Sequence, residues 1–316
     1  MKTIYLAGGC FWGTEHFFKQ IAGVEHTRTG FANGNTEHPT YGQVYSDTTG
    51  YAETVQVDYD PAKISLEFLL SMFFAAIDPT SLNKQGHDQG TRYRTGIYYT
   101  EDSERIVIDR VFNQEQAKYT QPLVVEREPL RNFFPAEDYH QDYLDKHPDG
   151  YCHLPKTLFD WARKTRTYQT LLAQIQALIS DERDMIANMA NISAILHQTF
   201  GFWWTGFYRV QGNELILGPF QGPLACTRIP YNKGVCGMAW AQNKTIMVPD
   251  VHQFPGHIAC SADSRSEIVV PLRRDNQVFA VLDIDSKEYN TFDQIDRYYL
   301  EQITLESDAF PIREIR

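Results

Sequence analysis

The stretch Gly8-Gly9-Cys10-Phe11-Trp12-Gly13-Thr14-Glu15 constrains the first half of this 316-residue chain more than any other. It follows a short apolar run, Ile4-Tyr5-Leu6-Ala7, that reads as a buried strand, and it precedes residues 15–20, which read as the opening of a helix. Cys10 therefore sits where a strand hands over to a helix. Unpaired backbone N–H groups and the positive end of the helix dipole at such a place favour a thiolate over a thiol. Glycines on both sides permit a tight turn and close approach of a substrate. The same pattern fits a buried, inert cysteine equally well, and Phe11 and Trp12 fit a core as readily as a binding wall.

The length predicts about two domains. A hydrophobic content of 42% and a charged content of 22% belong to an ordinary protein able to bury a core. The net charge of -11 argues against a surface for nucleic-acid phosphates, which needs clustered Lys and Arg. No apolar run approaches the ~20 residues that span a bilayer, and Met1-Lys2-Thr3-Ile4 opens no secretory h-region. A cytoplasmic, reducing location without membrane attachment is the expectation, and there cysteines are seldom permanent cross-links. They stand at 10, 152, 226, 236 and 260, with no Cys-x-x-Cys, so neither a zinc ribbon nor a thioredoxin motif is supported.

Residues 1–155 read as a mixed α/β unit. Gly30 to Gly50, rich in Gly, Asn, Thr and Pro, reads as a long loop. Residues 51–59 alternate as a strand, with Glu53 on the apolar face beside Tyr51, Val55, Val57 and Tyr59. A carboxylate there is either paired with an arginine or raised in pKa until it holds a proton near neutrality, as a general acid must. Residues 66–76 predict a helix ended by Asp78-Pro79, residues 81–94 a polar loop carrying Asp88 and Tyr93, 96–99 a strand and 101–119 a helix. Asp149 to Pro155 forms an irregular tail bearing Cys152, and loops are where a second thiol can swing towards Cys10. The linker is placed at 156–167 and the second domain at 168–316, with a helix over 181–200 stopped by Gly201, then five strands, then a closing helix over 292–310. Helix, antiparallel strands and helix imply an α+β domain whose sheet is covered on one face.

Cys10, Glu53 and Cys152 form a coherent first set. A thiolate attacks an electrophilic sulfur, a buried acid protonates the departing oxygen, and a second thiol closes a disulfide. Tyr41 and Tyr93 can donate to the same oxygen, although either alone reads equally as packing. Gly8-Gly9-Cys10-Phe11-Trp12-Gly13, Pro39-Thr40-Tyr41, Ala52-Glu53, residues 86–94, residues 136–141 and Gly150-Tyr151-Cys152 together resemble peptide methionine sulfoxide reductase A. The resemblance implies a mixed α/β sandwich with Cys10 as nucleophile, Phe11 and Trp12 as walls of the S-methyl pocket and Glu53 as the acid. It further implies Tyr41, Tyr93 and Asp88 at the sulfoxide oxygen and Cys152 as the resolving thiol, with thioredoxin as reductant. The family acts on the S epimer. No cysteine follows Cys152 in that tail, so recycling is expected directly from the Cys10–Cys152 pair.

In the second half, Cys226, Cys236 and Cys260 fall in glycine-containing loops, Asp283 and Asp285 share one strand face, and Glu267 begins a neighbouring apolar strand. Carboxylates beside thiols suggest an acidic pocket able to hold an ammonium group and donate a proton, although Asp at strand ends commonly just faces water. His252, His257 and Cys260 also have chelating spacing, but no matching second ligand pair is evident. Trp203-Trp204-Thr205-Gly206-Phe207-Tyr208, Ala225-Cys226, Gly234-Val235-Cys236-Gly237, residues 255–260, residues 266–271 and Leu282-Asp283-Ile284-Asp285-Ser286 resemble the free methionine-(R)-sulfoxide reductases of the GAF fold. That resemblance implies Cys260 as nucleophile with Cys236 as the second choice, Cys226 as resolver, and Cys236 otherwise as an additional redox thiol. Glu267, Asp283 and Asp285 would then bind the free amino acid and protonate its sulfoxide, with Trp204 and Tyr208 lining the pocket.

The expectation is thus an α+β, two-domain fusion of two thiol-dependent reductases that serve opposite epimers, one on protein-bound and free substrate and one on the free amino acid. It implies no cofactor or metal, and the GAF resemblance implies a homodimer. Two competing readings of the second half are a regulatory module that binds a small ligand and controls the first half, and a zinc-binding interaction domain.

Overall fold

A computed structural model describes residues 1–256 and 263–305. The chain divides into two compact units, Met1–Arg166 and Thr167–Arg316. The fold is α+β in both. Among the described residues, no helix is long and apolar enough to cross a membrane.

The first unit runs β1 (Lys2–Gly8), α1 (Phe11–Gln20), β2 (Val24–Ala32), α2 (Tyr41–Tyr45), β3 (Ala52–Tyr59), α3 (Leu66–Ala76), a hairpin of β4 (Lys84–Gln85) and β5 (Asp88–Gln89), β6 (Thr95–Tyr99), α4 (Asp102–Gln116), β7 (Glu126–Pro129), β8 (Phe133–Pro135) and α5 (Tyr143–Lys146). Six strands form one sheet in the order β7-β6-β1-β3-β2-β8, antiparallel throughout except for the β6–β7 pair. β1 and β3 are central neighbours, and Ile4, Leu6, Val55 and Val57 lie fully buried on one shared face. The core against them is aromatic: Phe17 and Phe18 of α1 and Phe73 of α3 have no exposed surface. α3 starts where Ser65 accepts a hydrogen bond from the Phe68 N–H, and Pro79 follows its end.

Residues 30–50 are not one loop. β2 continues to Ala32, and α2 is capped by Thr40, whose side chain accepts the Gln43 N–H while the Gln43 side chain accepts the Thr40 N–H. Gly30 misleads the sequence reading because it is a packing glycine. A Cβ there would meet the Phe133 ring at 2.4 Å and the Phe134 carbonyl at 2.5 Å, so glycine is what lets β8 cross.

The stretch assigned to a linker is helical: α6 spans Lys156–Ile179. Up to Arg166 it belongs to the first unit, where Thr165 accepts from the Ala22 N–H at 2.8 Å. Beyond that it belongs to the second, where Tyr168 donates to Asp296 Oδ1 at 2.6 Å and stacks on Tyr299.

The second unit continues with α7 (Met185–Phe200), β9 (Trp204–Gln211), β10 (Glu214–Gln221), β11 (Arg228–Pro230), α8 (Gly234–Gln242), β12 (Ile246–Val248), β13 (Ser266–Arg274), β14 (Gln277–Ser286) and α9 (Gln294–Leu305). α7 starts later than its apolar pattern suggests, because Asp184 caps it by accepting from Ile186 N–H and Ala187 N–H. Its end is at Gly201, with φ +66°. The sheet is wholly antiparallel in the order β11-β10-β9-β14-β13-β12.

This sheet is covered on both faces, not one. Phe207, Ile268, Val270, Leu282 and Ile284 point to one face and are fully buried, while Trp204, Tyr208, Val269 and Val281 on the other pack with Val235, Cys236 and Ala239 of α8. α8 replaces the loop expected around Cys236. Its glycines are positional, since Gly234 has φ +60° and a Cβ on Gly237 would stand 2.6 Å from the Pro230 carbonyl. Of the closing helix, the part beyond residue 305 lies outside the described residues.

Candidate active sites

Cys10 is the N-cap of α1, 5% exposed, at the end of the buried strand β1. Gly9 before it has φ +86°, which makes the tight hand-over possible. On the adjacent strand, Glu53 of β3 is 1% exposed and accepts the Phe11 N–H through Oε2 at 3.0 Å. Its other oxygen, Oε1, is buried without a hydrogen-bond partner. Burial pushes the Glu53 carboxyl up to about 8, against the lowering effects of the Phe11 N–H and the Arg92 guanidinium. An ion pair with an arginine is therefore not what satisfies it, and Arg92 instead binds Asp47 at 2.7 Å.

The helix terminus does not make Cys10 a standing thiolate, contrary to the sequence expectation. The N–H groups of Trp12 and Gly13 lower its pKa, but desolvation and then the charge of Glu53 raise it by more. Both the acid and the nucleophile hold their protons near neutral pH.

Tyr41 and Tyr93 reach the same place. Burial and then the Glu53 charge raise both phenols, Tyr93 up to about 12. They are donors at any physiological pH. Phe11 is buried, with its ring stacked on Tyr41 and tilted against Trp12. Trp12 is held by residues to which the sequence reading gave no role: its Nε1 donates to His140 Nδ1 at 3.1 Å, and its ring stacks on Tyr143 at 3.7 Å. Both lie in or beside the quoted stretch 136–141, and the signal available was a His among aromatics.

Asp88 is presented by the β4–β5 hairpin. The Tyr151 hydroxyl donates to its Oδ1 at 2.8 Å, which pins the tail that carries Cys152, while Oδ2 is buried and unpartnered. His153 pins the same tail by donating from Nε2 to the Gly8 carbonyl at 3.0 Å. One ligating atom each of Cys10, Asp88 and His153 lies within 4.8 Å of the others. Cys152 packs over Gly13, where a Cβ would come within 2.9 Å of its Sγ. Cys10 and Cys152 are both free thiols. The residues named from the sequence for the first site therefore converge, together with Tyr151 and His153.

In the second unit the register aligns Glu267 with Asp285, Asp283 with Gly206, and Asp285 with Trp204, so the carboxylates share one face with Trp204 and Tyr208. Glu267 and Asp283 do not face water, each being 6% exposed, while Asp285 is half-buried. Cys236, on the first turn of α8, points at Glu267 Oε1 at 3.9 Å, and one ligating atom each of Cys236, Glu267 and Asp283 lies within 4.8 Å of the others. Burial raises Asp283 up to about 6, and burial with mutual repulsion raises Glu267 and Asp285 well above the carboxylate range. Burial and the same carboxylates hold Cys236 as a thiol. Gly206 lets the Trp204 ring and Phe220 lie directly against the strand, since a Cβ there would strike Phe220 at 2.4 Å and the Trp204 ring at 2.5 Å. Trp204 donates to the Pro223 carbonyl at 3.2 Å and Tyr208 to the Cys226 carbonyl at 3.0 Å. Cys226 is disulfide-bonded. Cys260 and His257 lie outside the described residues.

Comparison with known proteins follows the same division. The sequence model of peptide methionine sulfoxide reductase matches residues 2–171, and that of the GAF domain matches residues 181–305. The peptide methionine sulfoxide reductase MsrA of Clostridium acetobutylicum is 54% identical over 158 residues, which cover 50% of this chain and 98% of the relative. The MsrA of Clostridium botulinum strain Okra is 53% identical over 154 residues, covering 49% and 98%. Among solved structures, the free methionine-R-sulfoxide reductase of Neisseria meningitidis in complex with its substrate is 52% identical, with a TM-score of 0.43, covering 43% of this chain and 83% of that one. Mxr1 of Saccharomyces cerevisiae in reduced form is 39% identical, with a TM-score of 0.46, covering 48% and 88%. A buried acid beside a cysteine at a strand-to-helix turn, a second thiol pinned above it, and a family match over more than half of the sequence agree: the chain belongs to the peptide methionine sulfoxide reductase family.

Proposed function

We propose that the chain reduces both epimers of methionine sulfoxide, the S epimer at Cys10 and the free R epimer in the second unit. For the first reaction the carrying observation is the pairing of Cys10 with Glu53, whose Oε2 is tied to the Phe11 N–H while Oε1 stays free and protonated. Glu53 gives the Oε1 proton to the sulfoxide oxygen and takes the proton of Cys10 as its sulfur attacks the substrate sulfur. Tyr41 and Tyr93 donate to the same oxygen, and Phe11 and Trp12 enclose the methyl group. Methionine leaves, and the oxygen stays on Cys10 as a sulfenic acid. Cys152 then displaces it as water and forms the disulfide. A cleft of about 690 Å³ beside Cys152, walled by Leu144, Pro148, Leu154 and Phe159, gives a reductant sulfur access to that disulfide. Thioredoxin, in a reducing cytoplasm, is the proposed reductant.

The second reaction rests on the buried cluster of Cys236, Glu267 and Asp283. Buried carboxylates that share protons can bind an ammonium group and protonate an oxygen in one site, as a free amino-acid sulfoxide requires. The carboxylates around Cys236 oppose its thiolate, which favours Cys260 as nucleophile, with Cys226 as resolver.

The test of the first reaction is Cys152→Ser on a peptide bearing the S sulfoxide. One methionine per protein and no cycling with thioredoxin are expected. Full cycling would assign resolution of Cys10 to another thiol.

A further inference from the structure

The tail after Tyr151 brings a second group to Cys10 besides the resolving thiol. Because the Gly8 carbonyl only accepts, His153 Nε2 carries the ring hydrogen, and in the neutral ring Nδ1 is then a bare acceptor. Nδ1 is buried and has no hydrogen-bond partner. It lies over the first turn of α1 with the resolving thiol: a Cβ on Gly13 would come within 3.0 Å of Nδ1 and within 2.9 Å of Cys152 Sγ. The groups facing the ring are Cys10 at the start of α1, Asp88 of the β4–β5 hairpin, and Cys152 on its own segment.

We propose that His153 is a catalytic base and acid of the resolving step, taking the Cys152 proton at Nδ1 and passing it to the oxygen leaving Cys10. The proposal rests on the sulfenic acid of the reaction above. Atoms and electrons balance: the S–H bond of Cys152 and the S–O bond of Cys10 break, an S–S bond and one water form, the Cys10 sulfur is reduced and the Cys152 sulfur is oxidised. Burial and Asp88 keep Cys152 a thiol at neutral pH, so without a base its attack waits for the small thiolate fraction. Burial keeps His153 neutral and able to accept, and the Asp88 charge supports the imidazolium while it lasts. The Leu154 N–H, donating to Cys152 Sγ at 3.4 Å, steadies the sulfur as it sheds its proton.

The experiment uses the reduced full chain and a peptide S sulfoxide without external reductant. Quenched-flow samples are read for methionine, for trapped sulfenic acid, and by mass spectrometry for the Cys10–Cys152 disulfide from pH 6.5 to 9. His153→Gln keeps an N–H for the Gly8 carbonyl but has no basic nitrogen. It should form the disulfide at least about tenfold more slowly at pH 7, accumulate sulfenic acid, and recover as pH rises towards the thiol pKa, whereas the native rate stays flat. His153→Ala should be rescued by added imidazole. A native rate and profile in His153→Gln, or slowing that is equal at every pH with no imidazole rescue, overturns the proposal. Absence of methionine from the native chain would instead overturn the reductase reading on which it stands.

Discussion

At the scale of single residues, the first site is governed by what burial does to protons. Glu53 holds its proton up to about pH 8 because no solvent reaches it, while its one backbone donor is too weak a counterweight. A general acid works only while protonated, so the single-turnover rate of methionine formation should fall as pH rises through about 8. In Glu53→Gln the rate should be lower by about a hundredfold or more and that limb should vanish. The same shift makes a stability prediction of opposite sense. A carboxyl with a folded pKa above its unfolded one contributes stability that is fully present below about 4.5 and lost as pH rises through about 8. Glu53→Gln should therefore melt several degrees higher than the native chain at pH 8, and nearly level with it at pH 4.5. A fall in Tm at pH 8 would mean that the carboxylate is stabilised by a partner after all. The alternation of residues 51–59 made the inward Glu53 legible. Whether an arginine answers it was not, because Arg92 comes from a distant loop and turns to Asp47.

At the scale of elements, the reading from sequence succeeded where periodicity was strong and failed where glycine served packing. The apolar runs of β1, β3, α3 and β14 announce themselves. Gly30 and Gly237 instead look like loop signals, and each exists because another backbone or ring passes too close for a Cβ. Gly13 belongs to the same class and offers a test. It lies inside α1, where alanine is favoured by about 1 kcal/mol. Yet a Cβ there would stand 2.9 Å from Cys152 Sγ and 3.0 Å from the His153 ring. Gly13→Ala should therefore keep or raise the helix content of the chain while displacing the tail. Cycling with thioredoxin should drop at least about tenfold with little change in the first methionine released, since proper placement of the attacking group dominates such rates. Equal loss in both phases would mean that Gly13 shapes the substrate pocket rather than the resolving arm. What no local pattern announces is register: only β-pairing shows that Glu267, Asp283 and Asp285 meet on one face.

At the scale of the whole molecule, two chemically similar sites sit in units with unrelated folds. The reason lies in the substrate. A sulfoxide sulfur is chiral, so a pocket that fixes the methyl group and the acid for one epimer points the oxygen of the other away from the proton. In the first unit one acid with two phenols faces the thiol. In the second, buried carboxylates cluster beside Cys236, an arrangement that suits the ammonium group of a free amino acid. The units should therefore act independently on a racemate of free methionine sulfoxide. With thioredoxin and its reductant in excess, the native chain should consume all of it. Cys10→Ser should stop at about half with the S epimer left, and Cys260→Ser at about half with the R epimer left, as read by chiral chromatography. The regulatory alternative for the second unit gives another pattern: the native chain would leave the R epimer untouched, Cys10→Ser would consume nothing, and Cys260→Ser would alter the S rate instead of removing an epimer. Because each outcome assigns a definite residue of substrate to a definite cysteine, a single racemic assay decides whether this chain carries one catalytic centre or two.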